Sequence, residues 1–173
     1  MIDMIVEAIF KRLLRYGVAV FLKPVYDEED PNMKRLPKNT IVLQTLQNSM
    51  LRVIYGLKIQ NHVNMKNVRE KIKMSVNQMA VYHTLLEAYN VMRHLSSEQI
   101  KMKWTIIEKK YALRSVTNND LKVPEKPKLK CEGFTYNGAK LFNMLPPKTR
   151  EIKDPDTFKS EMKNWIWENI PSY

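Results

Sequence analysis

The sequence predicts a mainly α protein: a helical bundle with short extended segments and a C-terminal amphipathic helix. Three observations predict it. Apolar residues recur at three- and four-residue spacing through several long segments. Only 4 of 173 residues are glycine and 44% are hydrophobic, which argues against both a disordered chain and a loop-rich scaffold. The single cysteine, Cys131, cannot close an internal disulfide, so the core must come from packing, and a reducing, intracellular setting is expected.

Three stretches follow in order: 1–38, an N-terminal helix and acidic loop; 39–112, a basic helical segment; and 113–173, a linker, an apolar box and a last helix. In the first, Ile2, Ile5, Val6, Ile9, Phe10, Leu13 and Leu14 form a helical stripe. A short β-like run, Val18 to Leu22, comes next, and it is far too short to span a bilayer. The opening residues include Asp3 and Glu7 and do not read as a signal peptide. Lys23 to Lys38 holds three prolines and the acidic run Asp27 to Asp30, the composition of an exposed loop.

In the second stretch, Asn39 or Thr40 is placed to cap a helix whose Leu43, Leu46, Met50, Val53, Ile54 and Leu57 share a face. Gly56 is placed to end it. A short basic helix near Asn64 to Met74 turns Met65, Val68 and Ile72 inward and Lys66, Arg69 and Lys73 outward. "SVNQ" is a capping box of Ser75 with Gln78. The helix it opens runs to about Leu95, burying Val76, Met79, Tyr82 or His83, Leu86 and Tyr89. From Ser97 to Tyr111 helical and strand spacings compete, and length favours the helix.

The third stretch begins with a Pro-rich linker, Leu113 to Cys131. In "YNGAKLFNMLPPKTR" the Asn137-Gly138 pair predicts a tight turn. A short helix from Ala139 to Leu145 would then present Leu141, Phe142 and Leu145 as one apolar knob. Pro146 ends that helix, because the residue before a proline disfavours the α region, and Pro147 stiffens the exit. Asp154 is a good N-cap for a final helix with Pro155 in its first turn and Phe158, Met162, Trp165 and Ile166 in one stripe.

The net charge of +11 is uneven. Residues 41–115 carry 12 basic and 4 acidic side chains, so most of the excess lies there. Such a field suits nucleic acid or another polyanion. Arg52, Lys58, Lys66, Arg69, Lys73, Lys101 and Lys103 are the candidate contacts. Catalytic constellations are absent from the pattern. His62, His83 and His94 lack ligand spacing, and no phosphate-cradling Gly-rich loop occurs. Asp156, Glu161 and Lys163 hold the residue types of a nuclease site. They fall within two turns of one helix, where capping and solvation explain them better than a shared metal. No cofactor and no small-molecule substrate are expected.

"RSVTNNDLKVP", "GFTYNGAKLFNMLPPKTREI" and "DTFKSEMKNWI", in that order, resemble the C-terminal region of non-LTR, LINE-type reverse transcriptases of the jockey-like kind. Leu121, Val123, Pro124, Phe134, Tyr136, Gly138, Lys140, Leu141, Asn143, Leu145, Pro146 and Phe158 fall at family positions. Phe142 stands where the family usually has Trp, and Ala139 where it has Pro. "LQTLQNSMLRVIYGL" is similar to the helix that follows the family's polymerase palm, and Tyr16-Gly17 to the pair before it. The resemblance covers nearly the whole chain. It implies a post-palm, thumb-like piece that lacks the metal-binding aspartates, is no enzyme on its own, and grips template and primer beside the rest of a reverse transcriptase. From another class, a helical interaction module would use the C-terminal box to dock a protein, its basic face being only solvated.

Overall fold

The computed structural model describes residues 22, 24, 37–58, 64, 65, 67, 68, 74–95, 121–123 and 134–171. Among these the protein is mainly α, with no strand. The helices are α1 (Lys38–Ile54), α2 (Val76–Met92), α3 (Phe134–Met144), α4 (Pro147–Glu151) and α5 (Pro155–Asn169). None is long and apolar enough to cross a membrane. The expected helix at 2–14, the acidic loop at 27–30 and the ambiguous segment at 97–111 lie outside the described residues. The chain divides into two compact units, Met1–Ala80 with Ile170–Tyr173, and Val81–Asn169.

In the first unit α1 starts without a side-chain cap. Pro37 occupies the cap position and its carbonyl accepts the Ile41 N–H at 3.0 Å, so neither Asn39 nor Thr40 is the cap. Proline fixes its own φ in a suitable range and needs no help from a neighbour. The other end follows expectation. Gly56, at φ +62°, lets its N–H reach the Val53 carbonyl at 3.2 Å and the Leu57 N–H reach the Arg52 carbonyl at 2.7 Å. This pair of bonds is a Schellman stop, and the left-handed residue it needs is cheapest as glycine.

The inward face of α1 is not the apolar one. Thr40, Gln44, Gln47 and Leu51 are buried, whereas Leu46 and Val53 are exposed and Leu43, Met50 and Ile54 sit half-buried at the margin. The reason is the start of α2. Ser75 and Gln78 form the reciprocal box: the Gln78 side chain accepts the Ser75 N–H at 3.0 Å, and the Ser75 hydroxyl accepts the Gln78 N–H at 3.3 Å. Val76 still needs an acceptor in a buried place, and Gln44 Oε1 supplies it at 3.0 Å. The Gln44 amide donates to Gln47 Oε1 at 2.6 Å, and Gln47 donates in turn to the Met74 carbonyl at 3.2 Å. Gln78 completes the set by donating to the Ile170 carbonyl at 2.9 Å. Buried polar backbone left unpaired is costly, so polar side chains displace aliphatic ones from this face. Around them Leu22, Leu51, Val68, Val76, Met79 and Ala80 form the apolar core.

In the second unit the rest of α2 buries Tyr82, Leu85, Ala88, Tyr89 and Val91, while His83 and Leu86 are half-buried. Its end is a second Schellman stop built on His94 at φ 57°, with the His94 N–H on the Val91 carbonyl at 3.1 Å and the Leu95 N–H on the Asn90 carbonyl at 2.8 Å. The Asn137-Gly138 pair makes no turn. Both residues are buried inside α3, because Asn137 and Leu141, and Gly138, Phe142 and Leu145, fall at helical spacing on the buried side. Tertiary burial outweighs the local turn preference. Pro146 ends α3 as expected, and Pro147 opens α4 at its first position, where a missing N–H costs nothing. α5 begins on Asp154, which accepts the Thr157 N–H at 2.8 Å and the Thr157 hydroxyl.

The two faces of α1 make opposite predictions. Gln47→Ala leaves the part-buried Met74 carbonyl without this donor and the Gln44 amide with Asn48 as its remaining acceptor, and should cost about 1–3 kcal/mol. Leu46→Gln should stay within about 0.5 kcal/mol, as surface changes do. Urea unfolding of both variants checks this. A larger loss at Leu46 would return the aliphatic stripe to the core.

Candidate nucleic-acid interface

Of the seven candidate cations, Arg52 and Lys58 are described. Arg52 sits half-buried near the end of α1, and its Nη1 donates to the Lys58 carbonyl at 3.2 Å. That bond ties the first residues after the helix to its last turn. The Lys58 side chain is exposed. Lys66, Arg69, Lys73, Lys101 and Lys103 lie outside the described residues. Their neighbours Met65, half-buried, and Val68, buried, pack at the apolar core of the first unit, on the side the spacing gives them.

Arg93 belongs to the same basic stretch, but it is a structural cation. Its Nη2 donates to the carbonyls of Glu151 at 3.1 Å and Ile152 at 2.8 Å, with Arg150 at 3.4 Å. These are carbonyls that the end of α4 leaves without helical partners, and a cation there also suits the helix dipole. The guanidinium lies 5.6 Å from the centre of the Tyr89 ring. Tyr89 stacks on Phe158 with centroids 4.0 Å apart and 16° between planes, and its hydroxyl donates to the Lys153 carbonyl at 2.7 Å. Nothing in the sequence pattern marks Arg93 for this task; its carbonyl partners lie about sixty residues away.

The C-terminal box is a packed element and not a presented one. Leu141, Phe142, Leu145 and Phe158 are buried, with Met162 and Ile166, so these residues form no exposed knob, whereas Met144 and Trp167 are exposed. Trp165 is half-buried and Pro146 exposed. The large cost of an aromatic truncation therefore belongs to Phe158, at about 3–5 kcal/mol, and not to Trp165. Asn143 holds the strand-like residue Leu121 by both of its backbone groups. Its Oδ1 accepts the Leu121 N–H at 2.9 Å and its Nδ2 donates to the Leu121 carbonyl at 2.8 Å. A carboxamide carries donor and acceptor on one plane, which is what an extended backbone requires.

Asp156 pairs with Lys159 at 2.9 Å and Glu161 is exposed. Among the described residues no three His, Cys, Asp or Glu side chains come together as a metal site would need. Comparison with protein-family models, with curated proteins and with solved structures finds no match to this chain.

Asn143→Ala should cost about 1–3 kcal/mol, since both Leu121 groups lose their partner. Asn143→Asp keeps the acceptor but sets a carboxylate against the Leu121 carbonyl, so at neutral pH it should be no better than Ala. Thermal melts of the two variants test this, and an unchanged midpoint for both would dismiss the clamp.

The Thr157 hydroxyl, and after it the Thr157 N–H, hold the Asp154 carboxyl below its ordinary value. A lowered folded pKa stabilises the helix start above the unfolded value, near 3.9, and that contribution disappears as pH falls through the folded pKa. Protection of the Thr157 amide, its exchange measured against an unstructured amide at the same pH, should therefore fall only on acidification below about pH 4. Asp154→Ala should remove that pH dependence.

Proposed function

We propose that this chain is a non-catalytic, nucleic-acid-binding piece of a non-LTR retrotransposon reverse transcriptase, gripping RNA or an RNA–DNA duplex beside the rest of that enzyme. The observation that carries this reading is the basic middle block, 12 cations against 4 acids over residues 41–115. Phosphate attraction of that kind is independent of sequence and supplies most non-specific affinity. The ordered resemblance supports the family, and the Asn143–Leu121 pairing gives two of its positions a physical reason to occur together.

The ridge of Lys66, Arg69 and Lys73 is the contact that the reading commits to. Arg52 and Lys58 continue the basic segment toward the end of α1, and Arg93 is excluded because its guanidinium closes α4. Lys101 and Lys103 extend the segment in sequence. With no palm aspartates, the purified chain should neither extend a primer nor cut nucleic acid with Mg²⁺ or Mn²⁺.

Changing Lys66, Arg69 and Lys73 together to Gln should flatten the slope of log affinity against log salt by roughly 2 to 3, at about 0.9 per phosphate contact. The loss should be nearly equal across sequences, because phosphate contacts position without specifying. Glutamine keeps helix propensity close to that of lysine and arginine, so folding should be spared. RNA–DNA duplex binding at several salt concentrations measures this. Identical slopes for wild type and variant would reduce the ridge to a solvated face.

A further inference from the structure

The outward face of α1 takes no part in the core of its unit. Ile41, Val42, Leu46 and Val53 are 46, 65, 51 and 82% exposed. At about 100° per residue they share one side of the helix with Thr45 and Ser49, opposite the buried Thr40, Gln44, Gln47 and Leu51. The two hydroxyls do not make that side polar. Thr45 donates to the Ile41 carbonyl at 2.9 Å and Ser49 to the Thr45 carbonyl at 3.0 Å, so both turn back on their own helix. The helix is thus reversed, with amides inside and aliphatic side chains outside. An apolar stripe about three turns long, with Arg52 at its edge turned to the Lys58 carbonyl, marks an interaction face.

Charge decides what fits it. From Pro31 to Arg69 the sequence contains seven cations and no Asp or Glu. Lys38 is exposed one turn before Val42 on the same side, and Lys58 is exposed just past the other end. A nucleic acid has phosphates for the two ends but only flat bases for the middle, and branched aliphatic side chains offer no stacking platform. A second copy would match the stripe but set cation against cation: Lys38 beside Lys58 if antiparallel, Lys38 beside Lys38 if parallel. Like charges across an interface suppress such a pairing. An amphipathic helix with an aliphatic stripe and carboxylates at both ends satisfies both features.

We propose that the outward face of α1 is a docking site for an acidic amphipathic helix of a protein partner, the aliphatic stripe burying its apolar face and Lys38 and Lys58 meeting its carboxylates. This rests on α1 and the exposed Lys58, and of the nucleic-acid candidates it shares Lys58 alone. The interface is a helix-on-helix contact whose anchors on this side are Val42, Leu46 and Val53, at i, i+4 and i+11. Its affinity comes from the stripe, and its orientation and salt dependence from the two lysines.

The test uses the full chain and a labelled synthetic helix of about 20 residues, the length that spans this face, with Leu on one side and Glu at both ends. A control peptide carries Lys in place of Glu. Fluorescence anisotropy should show binding of the acidic peptide only. Leu46→Gln with Val53→Gln should weaken it roughly tenfold or more, from the apolar surface no longer buried. Lys38→Gln with Lys58→Gln should weaken it severalfold and remove most of its salt dependence. Melting temperatures of both double variants should match wild type. Failure of the acidic peptide to bind, equal binding of the Lys peptide, or full affinity in the Leu46/Val53 variant would overturn the proposal. So would a wild-type dimer in sedimentation that the same two changes dissolve, or loss of RNA–DNA duplex affinity in that variant, since either gives the face to another occupant.

Discussion

The N–H groups at the start of α2 are buried and must find acceptors, and much of the first unit is arranged to supply them. Ser75 and Gln78 answer one another, and Gln44 reaches across from α1 to the Val76 N–H. Once Gln44 is committed there, Gln47 pairs with it and with the Met74 carbonyl, and the inward side of α1 becomes a polar ladder. A buried amide pair that is fully satisfied fixes geometry closely, because any shift leaves a donor or acceptor bare. The aliphatic residues of α1 are outward as a consequence, which explains why a helix with so much apolar sequence keeps so little of it in its core.

The second unit repeats the principle with different chemistry. Long side chains are directed at backbone groups: Arg93 at the carbonyls that close α4, Tyr89 at Lys153, Asn143 at both groups of Leu121. Each holds a stretch without regular structure against a helix. The apolar part of the unit has Phe158 stacked on Tyr89, with Leu141, Phe142, Leu145, Met162 and Ile166 buried. The apolar box around Leu141, Phe142 and Leu145 is thus a folding element.

The same use of side chains bears on the distribution of charge. One cation of the middle block, Arg93, works inside the protein, and Arg52 spends a guanidinium nitrogen on the Lys58 carbonyl. Lys66, Arg69 and Lys73 lie outside the described residues, and their sequence spacing sets them apart from Met65, Val68 and Ile72. A net count of charge is therefore an upper bound on what a polyanion can meet, and the partners of each arginine have to be subtracted from it.

The sequence by itself determined what is local. The capping box of Ser75 and Gln78, the Gly56 stop, the Asp154 cap and the buried stripe of α5 at Phe158, Met162 and Ile166 all follow from residues within a few positions of one another. Helical class and the break at Pro146 follow for the same reason, since propensity and capping act over one or two turns. Tertiary structure decided what depends on a distant backbone group. It chose the amide side of α1 as the inward one, drew Asn137 and Gly138 into α3, moved Trp165 to the margin, and gave Arg93 to α4 and Asn143 to Leu121. In each case the deciding term is a buried N–H or C=O, or a buried surface, contributed by residues far along the chain, and no local periodicity carries that information.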